Sequence, residues 1–522
     1  MKYPIGIQDF ESLRNNGYEY VDKTELIYKL VQEGTYYFLS RPRRFGKSLL
    51  MSTLAAYFSG KRELFHGLAI DKLEKDWTVY PVLHLDLNTD KYDSQEVLES
   101  RLNLFLSHWE QQYGRNPNEV TFAQRFEGII SRVATKEGKA VVILVDEYDK
   151  PMLQAINNDK LQTAYRNTLK AFYGALKTQD RYIRFALLTG VTKFGKVSVF
   201  SDLNNLTDIS MDESYDTLCG ITEEEMHRYF EEGIQKLADR YDISYEEACA
   251  RLKKRYDGYH FVEYGTGVYN PFSLLSTFRA NKFGSFWFET GTPTFLVQLL
   301  QRENFYLPDL TQQQVSADML NSIDAMDRNP IPVIYQSGYL TIKGYDRESE
   351  MYTLSIPNQE VRIGFTRGLL PAYIGLENHQ VVSGFALKFW QALKKNDLNL
   401  ALREMQSYFA GLPYVDGFKK KLEGISNLEA FYEWSIMLIF NMLNVYVQTQ
   451  VRCAGGRADM VVKMPDTIYV IELKVNGTAK EALDQIEVKG YATPYLTDGR
   501  KVVKAGVKFS TETKTLEDWL IK

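Results

Sequence analysis

Three cysteines in 522 residues, Cys219, Cys249 and Cys453, are too few and too scattered to build a disulfide framework or a zinc site. The six histidines fall in no metal-ligand spacing. No run of about 18 uninterrupted apolar residues occurs, so the pattern of a membrane-spanning helix is absent. Met1-Lys2-Tyr3-Pro4-Ile5 opens no signal peptide. Buried thiols suit a reducing compartment, and the expectation is a cytoplasmic protein without membrane attachment. Excess positive charge is missing too. The net charge is −5, which excludes a global basic field that would gather polyanions. Residues 425–522 carry 12 Lys+Arg against 12 Asp+Glu, so any affinity for nucleic acid must come from local patches, a bound metal or other parts of the chain. Repeats, low-complexity tracts and long disordered linkers are absent as well.

What is present is an ordinary globular composition, 44% apolar and 25% charged, in a chain long enough for roughly three domains. The sharpest signal lies near the C-terminus. Gly456-Arg457-Ala458-Asp459-Met460-Val461-Val462 and Tyr469-Val470-Ile471-Glu472-Leu473-Lys474 are two strand-like apolar runs that each carry an acid. Residues i and i+2 of a strand share a face, so Glu472 and Lys474 project together. A hairpin pairing of the two runs would bring Asp459 to them. Two carboxylates and an ammonium are costly to bury unpaired. A divalent cation held by the acids removes that cost and suits phosphodiester cleavage.

These residues resemble the PD-(D/E)XK nuclease core over roughly the last hundred residues. Asp459 matches the metal-binding acid, and Glu472-Leu473-Lys474 matches the (D/E)XK tripeptide. Gln485, six positions before Tyr491, resembles the glutamine–tyrosine helix of the subset close to the RecB nuclease domain. Glu429 looks like the acid of the preceding helix, with Glu433 four residues on as the other choice. The dipeptide before Asp459 is Arg457-Ala458, without the proline of the pattern. The resemblance implies Asp459, Glu472 and Glu429 as ligands of Mg²⁺, with Mn²⁺ as a substitute. It implies Lys474 as the group that positions or activates the attacking water, and Gln485 as part of the same site.

In the N-terminal third, Thr35-Tyr36-Tyr37-Phe38-Leu39-Ser40 reads as a buried strand. Arg41-Pro42-Arg43-Arg44-Phe45-Gly46-Lys47-Ser48 reads as a loop, and a helix opens after it. Strand, loop, Gly-Lys-Ser and helix are the context of a phosphate-binding loop. Backbone N–H groups around Gly46 would cradle phosphate, Lys47 would reach the β- and γ-phosphates, and Ser48 would ligate Mg²⁺. The pattern wants glycine at position 41, where arginine stands, and a non-glycine there narrows the backbone options. About a hundred residues later, Ala140-Val141-Val142-Ile143-Leu144-Val145-Asp146-Glu147 reads as a buried parallel strand ending in two acids. Asp146 would hold Mg²⁺ and Glu147 would polarise the attacking water. A third run ends at Thr189-Gly190, where a polar side chain would sit beside the γ-phosphate. Strands ending in polar groups agree with ligand binding at strand C-termini in open α/β sheets.

Ser40 to Ser48, Val145-Asp146-Glu147-Tyr148-Asp149, Thr189-Gly190-Val191 and Asp202-Leu203-Asn204-Asn205-Leu206 resemble the AAA-ATPase-like domain over about residues 1–290. In that family the Arg-Pro-Arg-Arg-Phe-Gly-Lys loop replaces the ordinary phosphate loop, and a C-terminal PD-(D/E)XK domain often follows. The resemblance implies ATP with Mg²⁺ as cofactors. Arg43 and Arg44 would contact phosphates or serve a neighbouring subunit, which leaves room for a homo-oligomer.

Between the two ends, Thr222 with Glu225 reads as a capped helix start, and helical patterns run through Arg255. Gln336-Ser337-Gly338-Tyr339-Leu340-Thr341-Ile342, a charged turn over Asp346–Glu350, and Met351-Tyr352-Thr353-Leu354-Ser355-Ile356 read as a β-hairpin. The expected organisation is an α/β chain: a P-loop ATPase core at 1–215, a helical lid at 216–290, a winged-helix-like module at 291–374, a helical connector at 375–424 and an α/β restriction-endonuclease-like domain at 425–522. The winged-helix-like module could touch DNA or pack against protein. The expected activity is nucleotide-controlled, Mg²⁺-dependent cleavage of nucleic acid, DNA ahead of RNA. The alternative is a nucleotide switch or scaffold whose nuclease-like domain binds without cutting.

Overall fold

Val141–Asp146 (β3) and Tyr36–Ser40 (β1) are buried at every position, as strands inside a parallel sheet are. Ile183–Gly190 (β4) lies between them, and Val82–Asp86 (β2) and Thr207–Asp208 (β5) form the edges, giving the order β2-β3-β4-β1-β5. Every pair in this sheet is parallel. Ser40 pairs with Gly190, Leu39 with Thr189 and Val145 with Leu188. The C-terminal ends of β1, β3 and β4 therefore meet along one edge. The computed structural model describes residues 1–193, 205–289, 313–321, 329–365, 391–410, 446–453, 456–510 and 515–522, with a few single residues between. Among them, no helix is long and apolar enough to cross a membrane.

The helices Glu223–Tyr241, Tyr245–Tyr256 and Pro271–Ala280 bury one apolar cluster that includes Phe230, Leu237, Leu252, Leu274 and Phe278. The first begins with the expected capping box, Thr222 and Glu225 each satisfying a backbone N–H of the other. Glu225 also receives the ammonium of Lys23 at 2.6 Å, which ties this helix to the N-terminal segment. A short antiparallel pair, Ile221–Thr222 (β6) with Val268–Tyr269 (β7), closes the group. The expected hairpin is present as Thr341–Asp346 (β9) and Met351–Ser355 (β10). Its turn is held by the Asp346 carboxylate, which accepts from the N–H groups of Glu348 and Ser349. Gln313–Ser316 (β8) pairs with β10 on the other side.

The chain divides into two compact units, Met1–Val361 and Arg362–Lys522. In the second, Tyr446–Cys453 (β11), Gly456–Lys463 (β12), Thr467–Val475 (β13), Lys501–Ser510 (β14) and Thr515–Ile521 (β15) form a mixed sheet in chain order. Only β13 and β14 run parallel. Their crossover carries the helix Ala479–Val488, opened by a capping box of Thr478 and Glu481. At Gly506 of β14 this helix passes close to the strand. A Cβ there would lie 2.1 Å from the Ala479 carbonyl oxygen and 2.4 Å from the Leu483 nitrogen. The helix Leu398–Ala410, from the stretch read as a connector, lies against β15. The Gln406 amide donates to the Leu516 carbonyl at 2.7 Å, and the Trp519 indole donates to Asn399 at 3.0 Å.

Candidate functional site

At the C-terminal edge of the parallel sheet, the loop after β1 turns into the helix Lys47–Phe58 through Gly46, whose φ of 95° is open to glycine at little cost. Arg44 also takes a left-handed conformation, with φ 69°. Position 41, where the ordinary loop has glycine, does not; the left-handed turns fall three and five residues later. Arg41 instead buries its guanidinium at 1% exposure. It donates to the carbonyls of Ser40 at 3.0 Å, Ser210 at 2.7 Å and Tyr215 at 3.3 Å, and lies over the Phe261 ring at 4.0 Å. Burial pulls its pKa below the usual arginine value. The arginine is thus a bracket that fixes the loop to the chain around residues 210–261.

Lys47 is buried, and its ammonium donates to the carbonyls of Arg41 at 3.0 Å and Pro42 at 3.3 Å. Its nitrogen lies 3.7 Å from the Glu147 carboxylate. Asp146, at the end of β3, accepts the Thr189 hydroxyl at 2.6 Å and the Glu147 N–H at 3.0 Å. Glu147 itself sits at φ 53°, a conformation that a side-chain-bearing residue holds only at a cost of about 1 kcal/mol. Asp149, fully buried, accepts from the Thr192 N–H and hydroxyl at 2.6 Å each and from the Val191 N–H at 3.1 Å. Burial, with Glu147 nearby, pushes its pKa up. These bonds fasten the turn after β3 to the end of β4.

A cavity of about 320 Å³ opens over this edge, a size suited to a small ligand. Arg43, Arg44, Lys47 and Lys150 bring four cations to its lining and Glu147 one carboxylate, with Ser48 beside them. That donor set fits a Mg²⁺–polyphosphate: cations and a helix N-terminus for phosphate, the Ser48 hydroxyl for the metal and the Glu147 carboxylate for a water, with the Asp146 carboxylate buried behind the lining at the end of β3. Sequence reasoning missed Lys150 and Asn88 at this cavity. It also missed Trp287, whose indole donates to the Arg43 carbonyl at 3.3 Å across a separation of 244 residues. Of the Asp202-to-Leu206 motif, residues 202–204 lie outside the described residues.

In the second unit, Met460 pairs with Ile471, which sets Asp459 and Glu472 side by side at the next position. The Asp459 N–H donates to Glu472 Oε2 at 3.2 Å, and the Leu473 N–H donates to Asp459 Oδ2 at 2.9 Å. Glu472 is 2% exposed. Gln485, on the crossover helix, donates to Glu472 Oε1 and lies 3.3 Å from the Tyr491 hydroxyl. Lys474 is half-buried, two residues from Glu472 on the same strand. The structure thus brings Asp459, Glu472 and Gln485 together, with Lys474 on the same face. Glu429 and Glu433 lie outside the described residues. Among the described residues, no group of three or more His, Cys, Asp or Glu side chains converges on one point. Two carboxylates still fit Mg²⁺, which is commonly held by one or two of them and keeps its remaining waters.

Comparison with known proteins identifies the families of the two ends of the chain. A family model described as a predicted AAA-ATPase, AAA-ATPase-like, matches residues 4–200, and a model of the PD-(D/E)XK nuclease superfamily matches residues 427–519. An uncharacterized protein in the vnfD 5′ region of Azotobacter chroococcum mcd 1 is 36% identical over 527 residues, covering 100% of this chain and 99% of its own length.

Proposed function

We propose, for a chain that belongs to the family of AAA-ATPase-like proteins with a C-terminal PD-(D/E)XK nuclease superfamily domain, that it cleaves DNA under the control of ATP bound at its N-terminal site. The observation that carries the reading is the cross-braced pair Asp459 and Glu472, with Gln485 on one oxygen of Glu472 and Lys474 beside it.

At the nuclease site, Asp459 and Glu472 hold Mg²⁺, with Mn²⁺ as a substitute. When bound, the cation supplies Lewis-acid stabilisation of the charge developing on the phosphodiester. Lys474 orients the attacking water and meets the same charge. Gln485 fixes the rotamer of Glu472, so that the carboxylate is in place before substrate arrives. At the nucleotide site, Lys47 exchanges its loop carbonyls and Glu147 for the β- and γ-phosphates. Ser48 and Asp146 hold Mg²⁺, the Thr189 hydroxyl keeps Asp146 in position, and Glu147 accepts the proton of the water that attacks the γ-phosphorus. Arg43 and Arg44 add positive charge at the phosphates. Of the stretch 291–374, expected to be winged-helix-like, the described β8-β10-β9 sheet is the part we assign to contacts with DNA or with protein, while residues 300–312, 322–328 and 366–374 lie outside the described residues.

The test is incubation of purified protein with linear and circular DNA and Mg²⁺ or Mn²⁺, with and without ATP, beside Asp459→Ala and Lys47→Ala. The reading expects cleavage by wild type, none by Asp459→Ala, and loss of the ATP response in Lys47→Ala. Equal cleavage by Asp459→Ala would overturn it. A second reading, a nucleotide switch whose nuclease-like domain binds without cutting, draws on the balanced charge of residues 425–522. It is favoured by bound ATP with no cleavage under any of these conditions.

A further inference from the structure

Lys150 was not singled out by any sequence pattern, yet it lines the same cavity as Lys47, Ser48 and Glu147. Three residues after Glu147, it opens the short helix Lys150–Gln154, and its backbone N–H donates to the Glu147 carbonyl at 3.0 Å. Its ammonium donates to Asn88 twice, to the backbone carbonyl at 3.0 Å and to the side-chain Oδ1 at 2.6 Å. Asn88 lies just beyond β2, the neighbour of β3, and donates its own N–H to Asp86 at 2.8 Å. An ammonium has three N–H donors. Asn88 takes two of them, which leaves one for a ligand while the first two fix the nitrogen at the cavity wall. A surface lysine otherwise loses about 2 kcal/mol of rotamer freedom when ordered. Here the two bonds to Asn88 supply part of that ordering before any ligand binds.

We infer that Lys150 is a phosphate-contacting residue that meets the γ-phosphoryl oxygens in the transition state of ATP hydrolysis. The chain thereby supplies within itself the stabilising cation that many such ATPases take from a partner subunit. The inference rests on the reading of the cavity as an ATP site. In the step concerned, the water oxygen bonds to the γ-phosphorus as its bond to the bridging oxygen of ADP breaks. Glu147 takes the water proton, and phosphate and ADP leave. Lys47 approaches the phosphates from the loop after β1, and Lys150 from the strand end that carries Glu147. The two cations therefore act from different sides and do not substitute for one another. Asn88 is a positioning residue, acting on phosphate only through Lys150.

The experiment measures ATP turnover and ATP binding by the full chain for wild type, Lys150→Ala, Lys150→Arg, Asn88→Ala and Lys47→Ala. The wild-type assay is repeated from nanomolar to micromolar protein. Lys150→Ala should lower kcat on the order of 10²-fold, the usual loss for one preorganised donor, with the ATP dissociation constant held within about threefold. Lys150→Arg should recover part of that loss. Asn88→Ala, which removes one of the two acceptors, should lower kcat by a smaller factor without raising KM. Turnover per chain should not depend on protein concentration. Turnover of Lys150→Ala within threefold of wild type, specific activity that climbs with concentration, or ATP bound without any turnover would each overturn the inference while leaving the ATP site standing. Wild type that binds no ATP would instead overturn the reading of the site, and the role of Lys150 with it.

Discussion

Replacing Gly506 by alanine tests how the nuclease-like site is held. An added Cβ would lie 2.1 Å from the Ala479 carbonyl oxygen, 2.4 Å from the Leu483 nitrogen and 2.9 Å from the Leu483 Cβ. Two of these are backbone atoms of the crossover helix, so no side-chain rotation relieves the overlap. Contact distances of about 3.3 Å or more require the helix to retreat by roughly 1 Å. Overpacking of this kind costs about 1–3 kcal/mol. The same retreat carries Gln485 away from Glu472 and stretches their hydrogen bond to the weak end of its range. A misplacement of that size costs about 10²-fold in rate. We therefore expect Gly506→Ala to unfold at lower denaturant, to exchange the amides of residues 479–490 faster than wild type and, under the proposed nuclease function, to cleave DNA about a hundredfold more slowly. Wild-type exchange across that helix together with a wild-type unfolding midpoint would refute the reasoning, whatever the cleavage rate.

Glu147 gives a second expectation: at φ 53° glycine should be about 1 kcal/mol better than alanine, the reverse of their order in regular structure, so denaturation of Glu147→Gly and Glu147→Ala should rank them that way. Arg125 lies within hydrogen-bond reach of both oxygens of Glu110, at 2.8 and 2.9 Å, with that pair largely out of water, and of the exposed Asn103 at 2.7 Å. Arg125→Ala should cost about 3–5 kcal/mol, whereas Arg125→Leu with Glu110→Met should cost far less, as thermal unfolding of the pair would show. Glu360 has its carboxyl pushed up from 4.5 to about 7 by burial. A carboxyl with a raised folded-state pKa contributes stability that is full below pH 4.5 and lost as pH rises through about 7. That shift corresponds to roughly 3 kcal/mol. Glu360→Gln should flatten the fall in melting temperature between pH 5 and pH 8.

Much of this organisation is legible in the chain because it is local. The buried run ending at Asp146, the capping box of Thr222 and Glu225, and the hairpin turned at Asp346 each depend on residues within a few positions of one another. The alternation around Asp459 and Glu472 fixes their faces, and the register then sets them side by side. What stayed hidden depends on distant partners. Nothing near Arg41 announces that its guanidinium will find the carbonyls of Ser210 and Tyr215, and a lone arginine in place of glycine reads as a departure from the pattern. Lys150 and Asn88 meet only because β2 and β3 are neighbours, which their separation of 62 residues does not encode. Gly506 sits in an ordinary strand sequence, and its need for a missing side chain comes wholly from the helix that crosses above it.

The bracket made by Arg41 also bears on modularity. A phosphate loop built from glycines carries its conformation in its own backbone and can be moved between scaffolds as a short cassette. This loop cannot, because its shape is anchored by partners about 170 residues further along the chain. Grafting residues 40–48 alone into another parallel sheet would leave a guanidinium seeking acceptors that the host does not offer. Restoring glycine at position 41 would likewise remove an anchor without supplying a turn, since the turns lie at Arg44 and Gly46. The smallest transferable piece therefore reaches from β1 to Phe261, and the loop and its helical neighbours are one heritable unit.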